Sequence, residues 1–183
     1  MYHIKSVAVY CGTGQGDSPA YLQAAKETGT LLAQNNIHLV YGGSSRGMMG
    51  AVSSAVLENG GTAVGVIPTH MMEQENARRD LSELIVVDDM QTRKRVMAER
   101  AGGFVILPGG FGTMEEVLEV LTLKLLKLHK KPIVFLNTRD YYAPFAAMVE
   151  HMIKIGFATA DSKNVFTLVR TPQEVMAALS KGE

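Results

Sequence analysis

Two positions in this chain carry the residue types that chemistry needs, and each sits in a pattern that limits what it can do. Glu116 ends the run Pro108-Gly109-Gly110-Phe111-Gly112-Thr113-Met114-Glu115-Glu116, a glycine-rich turn that leads from an apolar segment into a helical one. Amides at a helix N-terminus hold anions, and glycines let a ligand come close to them. Thr113 and Glu116 also have the spacing of a capping box, with the hydroxyl on the N3 amide and the carboxylate reaching back to the cap. Glu116 is thereby expected in the first helical turn, beside any anion that the turn holds. Arg93 lies between Met90 and Met97 at helical spacing, so the three share a face, and the methionines mark that face as buried. A buried guanidinium needs an anionic partner, either a carboxylate of the core or the phosphate of a ligand. Both remain open for Arg93. Lys94 and Arg95 follow it and are expected in solvent, with Lys94 within reach of a phosphate.

Glycine marks two further turns. Of the 18 glycines, Gly12, Gly14 and Gly16 form one group, Gly42, Gly43, Gly47 and Gly50 a second, and Gly109, Gly110 and Gly112 the third. Three such loops point to a nucleotide or sugar-phosphate site. Spacing narrows the choice. After Gly12 and Gly14 a dinucleotide fingerprint would need a third glycine where Asp17 stands, and no acidic residue ends the segment 37–41 to take a ribose hydroxyl. Gly42 and Gly47 have P-loop spacing, yet Met48 and Met49 replace the required Lys and Ser or Thr. The five histidines show no metal-ligand spacing, and no metal or other cofactor is expected.

The elements that must position these loops are legible as an alternation. Apolar, β-branched runs at 4–10, 37–41, 62–67, 84–87, 103–107, 132–136 and 165–168 read as strands. Helical patterns fall near 19–35, 48–59, 90–101, 113–129, 142–155 and 172–181. The order implies βαβ units, and the continuously apolar strands imply a sheet buried on both faces. The expected fold class is therefore α/β, a single Rossmann-like domain over 1–183 with a mostly parallel sheet and helices on both faces. Ligands of such sheets bind beyond the carboxyl ends of the strands, where all three glycine loops lie. The long polar connection 69–82 is expected to help form the site.

Composition excludes other classes. With 18 basic and 18 acidic residues the net charge is zero, unlike a nucleic-acid binder. No apolar run has the length of a membrane span, so no membrane partner is expected. One cysteine, Cys11, excludes an internal disulfide and suits a cytoplasmic location. The local balance differs from the total: 91–100 holds Arg93, Lys94, Arg95 and Arg100 against Glu99 alone.

The element Met90-Gln91-Thr92-Arg93-Lys94, coupled to Pro108 through Glu116, resembles the paired signatures of the Lonely Guy (LOG) family, often labelled lysine decarboxylase-like. The loop from Tyr41 through Gly50 is similar as well, and the resemblance covers nearly the whole chain. It implies a phosphoribohydrolase that releases the base from a cytokinin riboside or adenosine 5′-monophosphate, as an AMP nucleosidase does. It implies Arg93 and Glu116 as the essential pair. Substrate contacts would come from Glu75, Arg93 with Lys94, Gly110, Phe111, Gly112, Thr113, Met114, Glu115, Glu116 and Thr122. It also implies a homodimer or larger assembly. Members commonly carry Trp where this chain has Leu123, which leaves the preferred base open. The decarboxylase label finds no support, because no lysine has the setting of a Schiff-base residue. A protein that binds a nucleotide without turnover is the alternative on the same scaffold.

On this reading the amides of Gly110, Gly112 and Thr113 hold the 5′-phosphate, Arg93 orients ribose or phosphate, and Glu75 contacts the substrate. Glu116 stabilises the oxocarbenium-like sugar or activates water. The helix after the glycine loop is apolar on most sides, from Val117 to Leu128, as expected if part of it packs on a second copy.

Overall fold

A computed structural model describes residues 4–180. Seven strands alternate with six α-helices in chain order: β1 (Ser6–Tyr10), α1 (Pro19–Gln34), β2 (His38–Tyr41), α2 (Gly47–Glu58), β3 (Ala63–Pro68), β4 (Glu83–Val87), α3 (Met90–Arg100), β5 (Gly103–Ile106), α4 (Phe111–Leu125), β6 (Ile133–Leu136), α5 (Ala143–Lys154), β7 (Thr167–Val169) and α6 (Pro172–Ser180). The strands form one sheet in the order β4-β3-β2-β1-β5-β6-β7. Every pairing is parallel. This is a Rossmann-like α/β fold, and the direction in which successive strands are added reverses between β1 and β5, where a crevice must open at the carboxyl edge.

Strand residues alternate between two apolar layers, which is why the strands read as unbroken apolar runs. Val7, Val9, Leu39, Tyr41, Val105, Leu107 and Val134 pack with α1, α2 and α6. Ala8, Tyr10, Val40, Val66, Phe104, Ile106 and Phe135 pack on the opposite face with Met97 of α3 and with Val117, Val120 and Leu121 of α4. Burial of these side chains at about 25 cal/mol per Å² supplies the main driving force for folding.

The start of α4 departs from the capping-box expectation. Its N-cap is Gly110, without a side-chain cap, and Met114 N–H donates to Gly110 O at 3.0 Å. Thr113 is thus the third helical residue and Glu116 lies in the second turn, not the first. A glycine cap leaves the amides of the first turn to whatever ligand or water meets them, since no side chain covers them. The helix also stops at Leu125, short of the expected 129, because the chain turns through a left-handed Lys127 at φ 61°.

Candidate active site

The crevice is built by backbone contacts between loops. Gly12 N–H donates to Pro108 O at 3.1 Å, which seats the loop after β1 against the loop after β5. Tyr142 Oη donates to Leu107 O at 2.7 Å and Tyr141 Oη to Gly109 O at 2.5 Å, holding the third loop from the other side. A Cβ on Gly109 would lie 2.1 Å from Thr113 Oγ1 and 2.7 Å from the Gly12 nitrogen, so only glycine allows this approach.

The connection after β3 docks on the second glycine loop. Ser44 Oγ donates to Glu75 O at 2.6 Å, Ser45 N–H to Asn76 O at 3.1 Å and Arg78 N–H to Gly43 O at 2.8 Å. These bonds bring Glu75 over the carboxyl edge of β2 and β3.

Arg93 points inward from α3 and is 3 % exposed. Its Nε donates to Val66 O at 3.0 Å, and Nη2 donates to Gly42 O at 2.8 Å and lies 3.4 Å from Glu75 Oε2. Nη1 has only Met90 Sδ, at 3.7 Å. Of the five guanidinium donors, the Nη1 pair is therefore the one left for a ligand, since thioether sulfur is a weak acceptor. The partner question left open by the sequence has a composite answer, the carbonyls of Val66 in β3 and of Gly42 just past β2 together with a carboxylate, with one nitrogen still to serve. Gly42 makes room for the guanidinium, because a Cβ there would fall 2.1 Å from Nη2.

Glu116 is buried on the inner side of α4. Burial pushes its carboxyl up to about 7; Arg93 opposes the shift, Glu115 and Glu75 add to it, and Lys94 opposes it. A carboxyl that changes charge near neutral pH beside a fixed cation suits acid, base or cation-stabilising work.

Arg93, Glu116 and Glu75 meet in a cavity of about 240 Å³, with Gly110, Gly112, Thr113, Cys11, Gly12, Thr13, Met49, Met71 and Met90 in its wall. A second hollow of about 230 Å³ adjoins it across Gly12 and Gly110, lined also by Tyr21 and Tyr141. Burial holds the Cys11 thiol well above its ordinary value, so it is a wall group rather than a nucleophile.

Other expected positions lie elsewhere. Lys94 is buried, not solvated, and its ammonium meets Glu115 and Glu119 rather than the cavity. Glu115 is turned to that pair. Phe111 is 97 % exposed, Met114 packs against the second apolar layer, and Thr122 is exposed with its hydroxyl donating to Leu118 O at 2.7 Å. Thr13 and Met71 were not among the sequence candidates. Thr13 lies in the loop just after β1, and its place beyond a strand end was a usable signal; Met71 lies in the connection 69–82 expected to help form the site, but nothing in its type or spacing singled it out there.

Residues 49–179 match the family model described as "Possible lysine decarboxylase". A cytokinin riboside 5′-monophosphate phosphoribohydrolase of Rhodococcoides fascians is 43% identical over 176 residues, which are 96% of this chain and 89% of that protein. The chain belongs to the LOG family. Two further relatives bear the same enzyme name: one of Oryza sativa subsp. japonica, 39% identical over 97% of this chain and 73% of its own length, and one of Arabidopsis thaliana, 38% identical over 96% and 82%. Among solved structures, a molybdenum cofactor binding protein of Rippkaea orientalis superposes with a TM-score of 0.70 at 20% identity, covering 94% of this chain and 93% of that one. That likeness reports the α/β fold that this chain shares with it.

Proposed function

We propose that this LOG-family chain is a phosphoribohydrolase that cleaves the N-glycosidic bond of a purine nucleoside 5′-monophosphate, releasing free base and ribose 5-phosphate. The observation that carries the reading is the meeting of Arg93 Nη1, the Glu116 carboxyl and the uncapped amides of α4 in one cavity. The names of the relatives support the same reaction.

The 5′-phosphate sits on the first-turn amides of α4, around Gly110, Gly112 and Thr113, where the helix dipole favours negative charge. Arg93 Nη1 donates to the ribose or phosphate. As the C1′–N bond breaks, its electron pair leaves with the base, and positive charge develops on the ribose. Ionised Glu116 stabilises that charge and takes a proton from the water whose oxygen joins C1′. The departing base takes up a proton from solvent and Glu116 afterwards returns to solvent the one it took from water, so that one water is consumed for each base released. Arg93 stays charged throughout, since its pKa is above about 12. The thioethers of Met49, Met71 and Met90 give the base an adaptable apolar wall. Both adenosine 5′-monophosphate and an N6-prenylated analogue are candidate substrates.

The reading includes a homodimer. Phe111, Leu118 and Leu125 are exposed along α4 with Thr122, on the side away from the cavity, and apolar groups in such a row favour a second copy. Thr122 would serve a substrate only across that interface. A cytoplasmic location follows from the same reading, with Cys11 as the single, buried cysteine. Among the described residues no helix is long and apolar enough to cross a membrane.

Incubation with the two monophosphates and their dephosphorylated nucleosides, with base followed by chromatography, tests the reaction. Release from a monophosphate and not from its nucleoside is expected, and Glu116→Gln should lower kcat by about 10³-fold. A thermal-shift response to nucleotide without base release would establish the non-catalytic alternative. Sedimentation tests the dimer; a monomer at micromolar concentration would remove it.

A further inference from the structure

Neighbouring residues on a helix point about 100° apart, and Arg93 and Lys94 use that difference. Arg93 enters the cavity with Glu116, while Lys94 enters the seam between α3 and α4 and lines a separate groove with Tyr10, Asp89, Glu119 and Leu123. Its side chain is 7 % exposed, its ammonium contacts Glu115 Oε1, and it lies 2.8 Å from Glu119 Oε2. Burial alone would lower the Lys94 pKa, but the two carboxylates outweigh it and hold the value above the ordinary one. A phosphate could reach this ammonium only by displacing carboxylates already in contact with it, at the cost of leaving them without a counterion.

We propose that Lys94 is a positioning residue and not a phosphate ligand: by clamping Glu115 and Glu119 of α4 to α3, it sets the placement of Arg93 against Glu116 and offsets the negative charge around Glu116. The proposal rests on the phosphoribohydrolase reading for its effect on turnover, though not for its effect on Glu116. The chain itself makes the coupling direct. Arg93 precedes Lys94, and Glu115 precedes Glu116, so the clamp joins the two residues immediately adjacent to the reactive pair. Among the described residues the other ion pairs of α3 run within the helix, from Arg95 to Glu99, or to the edge strand and the docked loop, from Arg100 to Glu83 and Arg93 to Glu75. The contacts of Lys94 are the ion pairs that join α3 to α4, beside the apolar packing of Met97 with Val117 and Val120.

The charges around Glu116 come from every side. Arg93 and Lys94 face it from α3, Glu115 from its own helix and Glu75 from the docked loop. Tyr10 and Cys11 approach from the end of β1, and both feel the Glu116 charge. Glu119 lies one turn on. Loss of the Lys94 charge would leave Glu115 and Glu119 unopposed and make Glu116 harder to ionise, whereas loss of the Glu115 charge would make it easier.

The test is carboxyl-carbon NMR titration of Glu116, run without substrate, together with the pH dependence of kcat and KM. Lys94→Met is expected to move the Glu116 midpoint up by about half a pH unit or more, to lower kcat with KM for the monophosphate nearly unchanged, and to be rescued by Lys94→Arg. Glu115→Gln is expected to move the midpoint down. A Lys94→Met protein with an unmoved midpoint and a raised KM would overturn the proposal in favour of a phosphate ligand. Should Lys94→Met fail to fold, Glu115→Gln decides alone, and an unmoved midpoint there overturns the clamp. Absence of base release by the unaltered protein would remove the proposed function and leave the titration result standing.

Discussion

The two ends of the sheet both collect basic residues, and they treat them in opposite ways. At the carboxyl end Arg93 and Lys94 are buried and matched against carbonyls and carboxylates, and Glu116 is buried in the same cavity as Arg93. At the amino end Lys124, Lys127 and Lys130 line a groove of about 470 Å³ beside His129 and Pro132, and among the described residues no carboxylate lines it. His129 is tied down there, with Val120 O at 2.9 Å and Lys131 N–H donating to its Nδ1 at 3.2 Å. Burying a charge costs several kcal/mol unless a partner is ready, so a buried charge marks a place where the fold has accepted that cost. The carboxyl end has accepted it three times within two helices; the amino end keeps most of its cations in water. Unlike Arg93, the lysines at the amino end need no particular partner.

The largest expected effect concerns Glu116, whose burial weakens the fold when it ionises. The group titrates at about 7 in the fold against 4.5 when free, so the folded state holds its proton over a pH range in which the unfolded chain has lost it. Stability is full below about 4.5 and falls by about 3 kcal/mol as pH rises to and through about 7. Glu116→Gln should lower kcat by about 10³-fold yet raise stability at pH 8 by about 3 kcal/mol, read as a higher urea midpoint. Activity should run the other way from stability, rising through pH 7 as the carboxylate forms. Equal urea midpoints for the two proteins at pH 8 would break the contrast, since Glu116 would then be no more costly than a surface carboxylate.

Of intermediate size is a pair of glycine substitutions on one turn. Gly109→Ala forces a Cβ into Thr113 and the Gly12 backbone, and should cost about 2 kcal/mol and shift the loop after β1. Gly112→Ala meets nothing within 4 Å and replaces glycine by a better helix former. It should leave stability unchanged or raised by up to about 1 kcal/mol while lowering kcat/KM more than tenfold, because the methyl stands beside the amides that hold phosphate. Thermal melting and base release separate the two. A fully active Gly112→Ala would move the phosphate away from α4.

These contrasts also explain how much could be read beforehand. The strands and their order of alternation with helices were legible because a sheet covered on both faces writes continuous apolar runs, such as Val7 to Tyr10 and Gly103 to Ile106. The inward direction of Arg93 was legible because Met90 and Met97 share its face. The burial of Lys94 was not, since its partners Glu115 and Glu119 lie more than 20 residues away and only the packing of α3 on α4 brings them. The start of α4 misled in a different way. Thr113 and Glu116 have cap spacing, but the true cap is Gly110, which has no side chain to announce itself. Sequence spacing therefore pointed to the candidate cavity, and tertiary packing decided that Arg93 and Glu116, rather than Lys94 and Glu115 beside them, face it.

The smallest expected effect lies at the amino end and tests whether that region is as indifferent as it looks. Helix α4 ends in two reverse bonds, Lys127 N–H to Lys124 O at 3.0 Å and Leu128 N–H to Leu123 O at 2.9 Å, with Lys127 in the left-handed conformation at φ 61°. Such a position favours glycine, because a Cβ is strained there and glycine is not. Lys127→Gly should therefore stabilise the protein by about 0.5–1 kcal/mol even though it removes a charge from the groove. It should leave the release of base unchanged, since the groove and the cavity lie at opposite ends of the sheet. If the variant instead lost stability, the Lys127 ammonium would be contributing more at the C-terminus of α4 than its backbone strain costs, and the amino end would no longer be a region whose cations are free to vary.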